Sequence, residues 1–135
     1  MPLSYFPVTG QFTAVITDRS SDEGGQPDEV GISCTVWFRP SVRQIHSTVD
    51  GTVYRLQDLR ARTTLAGELE TVDGSTVSLP ANTAVLDLDE LTYRVDFEDV
   101  TYDAADADEE MSSFRFVART DTTPVDLATV ERLPV

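Results

Sequence analysis

Polar and apolar residues alternate along most of this chain with a period of two, the spacing that places successive side chains on opposite faces of a β-strand. From Gly10 to Thr17, Phe12, Ala14 and Ile16 fall on one side and Gln11, Thr13 and Thr17 on the other. From Gly31 to Arg39, Ile32, Cys34, Val36 and Phe38 share a face opposite Ser33, Thr35 and Trp37. The period is clearest from Leu91 to Tyr102. There Tyr93, Val95 and Phe97 (with Asp99 next in line) oppose Arg94, Asp96, Glu98 and Val100. One apolar and one charged face predict a strand with one side in water. Phe114 to Arg119 repeats the pattern, with Phe114, Phe116 and Ala118 against Arg115, Val117 and Arg119. These last two runs are expected to pair across the acidic stretch Asp103 to Glu110.

Turn residues divide the rest. Asp18 to Glu29, rich in Asp, Ser, Gly and Pro, predicts an exposed loop. Asp50-Gly51 precedes a weaker alternation over Thr52 to Leu59, with Val53 and Arg55 against Tyr54 and Leu56. Leu65 to Val72 and Thr76 to Leu79 flank Asp73-Gly74, which predicts a hairpin closed by Pro80. Thr83 to Leu88 is a further strand candidate. Only the tail has helical character: Asp121-Thr122-Thr123-Pro124 offers a cap and an early proline, and Leu127 and Val130 stand three apart. It predicts a short C-terminal helix or turn. About eight strand candidates, spaced ~8–14 residues apart, fit an all-β domain, either a β-sandwich or a compact barrel. Residues 1–9, holding Leu3, Tyr5, Phe6, Pro7 and Val8, precede the first clear strand and are expected to form an N-terminal arm on a single domain spanning 1–135.

Composition narrows the function. At 135 residues the chain is one domain by length and large enough to bury a core without metal or disulfide. The net charge of −14 argues against nucleic acid and against an anionic membrane surface as partners. No apolar run approaches the ~18–20 residues of a membrane span, and Met1 to Pro7 lacks the features of a secretion signal. All ten basic residues are arginine, a bias expected of a GC-rich genome. The single Cys34 excludes an internal disulfide and falls on an apolar face, so it predicts a small core residue. The only histidine, His46, lies in a polar stretch and predicts an exposed loop position. No nucleophile elbow, dinucleotide loop or phosphate loop occurs, and one Cys with one His makes zinc unsuitable. No enzyme and no cofactor are expected. Calcium is the metal the chain is best equipped for, through Asp18/Asp22/Glu23/Asp28, Asp87/Asp89/Glu90 or Asp103/Asp106/Asp108/Glu109/Glu110, although none has EF-hand spacing. Solvated acidic loops are the plainer expectation. Aromatics outside the core are the remaining contact candidates: Trp37, opposite its strand's apolar face, Tyr54 and Tyr102 near strand edges, and Tyr5 and Phe6 in the arm.

Several runs together resemble the minor tail proteins of actinobacterial siphophages. They are Thr9-Gly10-Gln11-Phe12, Gln26-Pro27-Asp28, Gly31-Ile32-Ser33-Cys34-Thr35-Val36-Trp37-Phe38-Arg39-Pro40, Asp73-Gly74, Leu79-Pro80-Ala81-Asn82-Thr83, Leu91-Thr92-Tyr93-Arg94-Val95-Asp96-Phe97 and Val125-Asp126-Leu127-Ala128-Thr129-Val130. Each motif is common among β-domains; their order along nearly the whole chain is more specific. The first strand, acidic loop and Gly31–Pro40 run also resemble immunoglobulin-like and transthyretin-like modules, which implies an antiparallel β-sandwich. The resemblance implies a virion structural protein of the tail tip, made in the host cytoplasm. Its partners would be other phage tail proteins and symmetry-related copies. It supplies no catalytic residues. A carbohydrate-binding module for host cell-wall glycan, with Trp37 or a tyrosine as stacking face, and a capsid decoration protein are the alternatives.

Overall fold

The longest alternating run, Thr92–Tyr102, is the longest strand and the centre of the largest sheet in a computed structural model of the chain, which describes residues 3–16, 28–102, 105–106 and 111–135. Numbered in chain order, the strands are β1 (Tyr5–Thr9), β2 (Thr13–Ile16), β3 (Asp28–Gly31), β4 (Ser33–Pro40), β5 (Gln44–His46), β6 (Val53–Arg55), β7 (Leu59–Thr63), β8 (Leu69–Thr71), β9 (Val77–Pro80), β10 (Thr92–Tyr102), β11 (Ala105–Asp106), β12 (Phe114–Val117) and β13 (Val125–Asp126). No helix occurs among the described residues.

The large sheet runs β11-β10-β4-β7-β8, with β12 also paired to β10, and all its pairs are antiparallel. A smaller sheet runs β13-β1-β9; β1 is antiparallel to β9 and parallel to β13. Two further ribbons, β2-β3 and β5-β6, stand beside them. The apolar faces read from the sequence are the buried ones. Ile32, Cys34, Val36 and Phe38, then Tyr93 and Val95, then Phe114, Phe116 and Ala118 are all buried. The two main sheets meet where Phe6 of β1 places its ring 6.1 Å from that of Tyr93 and 6.4 Å from that of Phe116. Val8, Val77, Leu79 and Val125 complete the smaller sheet's inner side. The Tyr93 hydroxyl, carried into this interior, donates to the Pro80 carbonyl at 2.7 Å. Burial holds that phenol protonated far above the ordinary tyrosine range.

Several expectations from the sequence are corrected here. Residues 5–9 are not an arm but the middle strand of the smaller sheet. Of the short helix or turn expected of the tail, the turn forms and the helix does not: Val125 and Asp126 are a two-residue strand, the Thr129 and Val130 amides both donate to the Asp126 carbonyl, and the chain then extends to bridge Leu133 to Arg115. Pro124 fixes the chain where β13 begins, and in pairing with β1 the segment buries both Val125 and Leu127. The Asp73-Gly74 turn exists, with Gly74 at φ +88°, but its flanking runs do not pair as a ladder. β8 pairs with β7 while β9 crosses to β1, where Val77 and Leu79 are buried in the core. Thr83 to Leu88 is a turn, held by the Asn82 side chain, which donates to and accepts from the Leu88 backbone. The strand β7 has no counterpart among the expected ones. In β10 a bulge between Glu98 and Thr101 puts Asp99 at φ +54° and turns Val100 rather than Asp99 towards the core.

Candidate functional site

The outer face of the large sheet holds the densest charge chemistry among the described residues. Residues directly opposite across an antiparallel pair share a face. The register therefore sets Arg115 of β12, Arg94 of β10 and Arg39 of β4 in one row, with Asp58 just before β7 at its end. The next row is Asp96, Trp37 and Arg60; the third is Glu98, Thr35, Arg62 and Glu70. Three arginines side by side would repel, so carboxylates are interleaved. Arg39 donates to Asp96 and to Asp58, each at 2.7 Å. Arg94 donates to the other Asp96 oxygen at 2.9 Å, where Ser113 also donates at 2.5 Å. Arg43 lies against Asp58 by charge rather than as an aligned hydrogen bond, and Arg62 bonds Glu70 at 2.9 Å. Burial raises the Asp96 carboxyl, but donation from Ser113, Arg94 and Arg39 outweighs it and holds the group below the usual carboxylate range. The same bond to Asp96, aided by Asp58, pushes the Arg39 guanidinium up against the opposing cost of burial.

Trp37 sits in the middle of this face, half-buried, with the Arg39 guanidinium 5.1 Å from its ring centroid. Its indole N–H is buried without an acceptor among the described residues. The covering arginine leaves it poorly suited as an open stacking platform. Tyr5 is half-exposed at the edge of an open cleft of about 360 Å³, lined also by Leu3, Pro40, Arg55, Asp58 and Tyr93. Tyr54 donates from its hydroxyl to Asp50 on the β5-β6 ribbon, which lowers the Asp50 carboxyl and raises the phenol, within electrostatic reach of Tyr5. Phe6 is wholly buried, which removes it as a surface contact. Tyr102 ends β10, and its side chain lies outside the described residues. The structure thus leaves Tyr5 at the cleft, ties Tyr54 to Asp50 and sets Trp37 on the arginine-bearing face.

The remaining candidates stay apart. Cys34 is buried and its thiol pushed up by burial. Beside it, buried Thr63 donates to the Ile32 carbonyl at 2.6 Å and accepts from the Cys34 amide at 2.9 Å, standing in for a missing ladder pair. His46 is exposed as expected, but at the end of β5 rather than in a loop, with its Nε2 3.1 Å from the Gln44 amide nitrogen. Among the described residues no three His, Cys, Asp or Glu side chains gather to hold a metal, Asp87/Asp89/Glu90 included. Asp18, Asp22, Glu23, Asp103, Asp108 and Glu110 fall outside the described residues, as does Glu109, and only the backbone of Asp28 and Asp106 is described. Sequence reasoning missed Asp58, Arg60 and Arg62. The available signal was Leu59, Ala61 and Thr63 alternating with the two arginines, faint because alanine and threonine are weak hydrophobes. Comparison of the chain with protein-family models, curated proteins and solved structures finds no match.

Proposed function

We propose that this chain is a bacteriophage minor tail component at the tail tip, acting through protein–protein assembly and not catalysis. The observation that supports this most is the place of the two fullest resemblance-bearing runs. Gly31–Pro40 and Leu91–Phe97 supply β4 and most of the paired half of β10, the ladder at the middle of the large sheet. Within this reading the two main sheets are the layers of a β-sandwich, locked by Phe6 against Tyr93 and Phe116. Mass spectrometry of purified virions tests it: the protein is expected in the particle, and its absence overturns the reading. Locating it in a particle reconstruction separates tail tip from capsid decoration.

The cleft beside Tyr5 favours a second reading, a carbohydrate-binding host-adhesion module. An aromatic edge with Arg55 and Asp58 nearby suits a sugar ring and its hydroxyls. Binding to host cell-wall glycan that disappears in Tyr5→Ala, with the fold retained, would support it. No binding across such glycans would sink it.

A further inference from the structure

Two charged side chains reach the cleft beside Tyr5, and they differ in what they have left to offer. Asp58 is occupied: Arg39 donates to one of its oxygens and Arg43 lies against the other. Two guanidinium groups offset its charge, so it adds little repulsion toward an incoming anion. Arg55 is the opposite case. It is exposed, and among the described residues it makes no ion pair. Its cross-strand neighbour on the β5-β6 ribbon is the neutral Gln44. An open guanidinium fork at a cleft matches a carboxylate, which it can hold through two parallel hydrogen bonds.

The edge of β9 supplies uncharged polar groups. The Ala81 amide donates to the Ser4 carbonyl at 2.9 Å. Hydrogen-bonded and non-hydrogen-bonded pairs alternate along an antiparallel ladder. Leu79 and Val77 therefore bond to Phe6 and Val8, and Ser78, opposite Pro7, turns its N–H and C=O away from β1. Among the described residues β9 is the last strand of its sheet, so these groups meet no further strand. Ser78 and Gln57 are both exposed and both line the cleft. Together they offer a hydroxyl, an amide and an unpaired stretch of backbone to ligand hydroxyls. Tyr5 exposes 50% of its surface at the same cleft, enough of the ring to stack against.

Resting on the carbohydrate reading of this cleft, we infer that its ligand is an acidic sugar: the carboxylate on Arg55, the ring against Tyr5, the hydroxyls on Ser78 and Gln57. The volume of about 360 Å³ is at the small end of ligand sites, ~300–1,000 Å³, and suits a single sugar unit. A chain of net −14 repels polyanions, so the ligand carries one carboxylate rather than a run of them.

Chemical-shift titration of the isotope-labelled full chain tests this. The probes are methyl β-glucuronoside and N-acetylmuramic acid, each beside its methyl ester. The acids are expected to shift the Arg55, Gln57 and Ser78 amides and to bind at least about tenfold more tightly than the esters, the scale of a hydrogen bond to a charged group. Arg55→Gln, checked for fold by circular dichroism, is expected to bring the acids down to the affinity of the esters, whereas Tyr5→Ala weakens both. Equal affinity of acid and ester, or an acid preference that survives Arg55→Gln, would overturn the inference and leave the carbohydrate reading intact. Binding of N-acetylaspartate amide as tightly as the acidic sugars would overturn it in favour of an acidic peptide. The comparison of acid with ester on wild type stands even if the variant fails to fold. No shift of the three amides with any of these sugars would sink the carbohydrate reading along with the inference.

Discussion

Phe6 and Gly67 show how much single positions decide. Phe6 has no exposed surface and meets two aromatic rings of the opposing sheet. Phe6→Ala is expected to cost about 3–5 kcal/mol in urea unfolding of the isolated chain, the range for emptying an aromatic core site. A residue reserved for a neighbouring subunit would cost the free chain almost nothing, so the measurement separates a core strand from an arm. Gly67, at φ +86°, brings the turn between β7 and β8 against the segment before β2, where the Phe12 amide donates to the Gly67 carbonyl at 2.8 Å. A Cβ there would fall within 3.0 Å of the Phe12 carbonyl, and one at Gly31 within 3.0 Å of the Leu65–Gly67 backbone. Gly67→Ala combines a forbidden contact with a left-handed backbone and is expected to lower stability by at least ~2 kcal/mol in the same assay. Gly74→Ala serves as the contrast. It has similar φ but open space around it, and it should lose only about 1 kcal/mol, the backbone cost alone.

At the scale of elements, the coupling of β4, β7 and β10 runs through Asp96 and Asp58. Asp96 titrates below the ordinary carboxylate range when folded. Its contribution to stability is therefore complete above the unfolded pKa of ~3.9 and is lost as pH falls through the lower folded value. Asp96→Asn is expected to be less stable than wild type at pH 7, with the gap closing below about pH 4; urea midpoints across pH check this. Strand faces were largely legible in the sequence, and strand partners were not. The alternation in β4, β10 and β12 states which side chains are buried because the period of two is local. Nothing local tells Val77–Pro80 to leave β8 and join β1; the reward is the core beneath Phe6. The missed β7 carries its inner face on Leu59, Ala61 and Thr63, too small and polar a set to stand out, so the ion pairs that Asp58 makes with Arg39 of β4 and Arg62 with Glu70 of β8 went unread as well. Trp37 was rightly placed opposite the apolar face, but its cover by Arg39 depends on a side-chain choice that spacing does not encode.

At the scale of the whole molecule, the first and last strands belong to one sheet, so the fold is closed by its two ends. Val125 and Leu127 are buried, and the Leu127 amide donates to the Thr9 carbonyl at 2.9 Å. Deleting residues 124–135 would strip one edge of β1 and open the core, and the truncated chain is expected to lose its cooperative thermal transition by circular dichroism. The parallel alignment of β1 with β13 has a mechanical corollary. The chain enters β1 at Tyr5 and leaves β13 after Asp126 in the same direction. Tension applied between the two termini therefore drags these strands lengthwise past each other instead of peeling them apart one bond at a time. Their hydrogen bonds share the load and yield together, the more resistant way to pull a sheet.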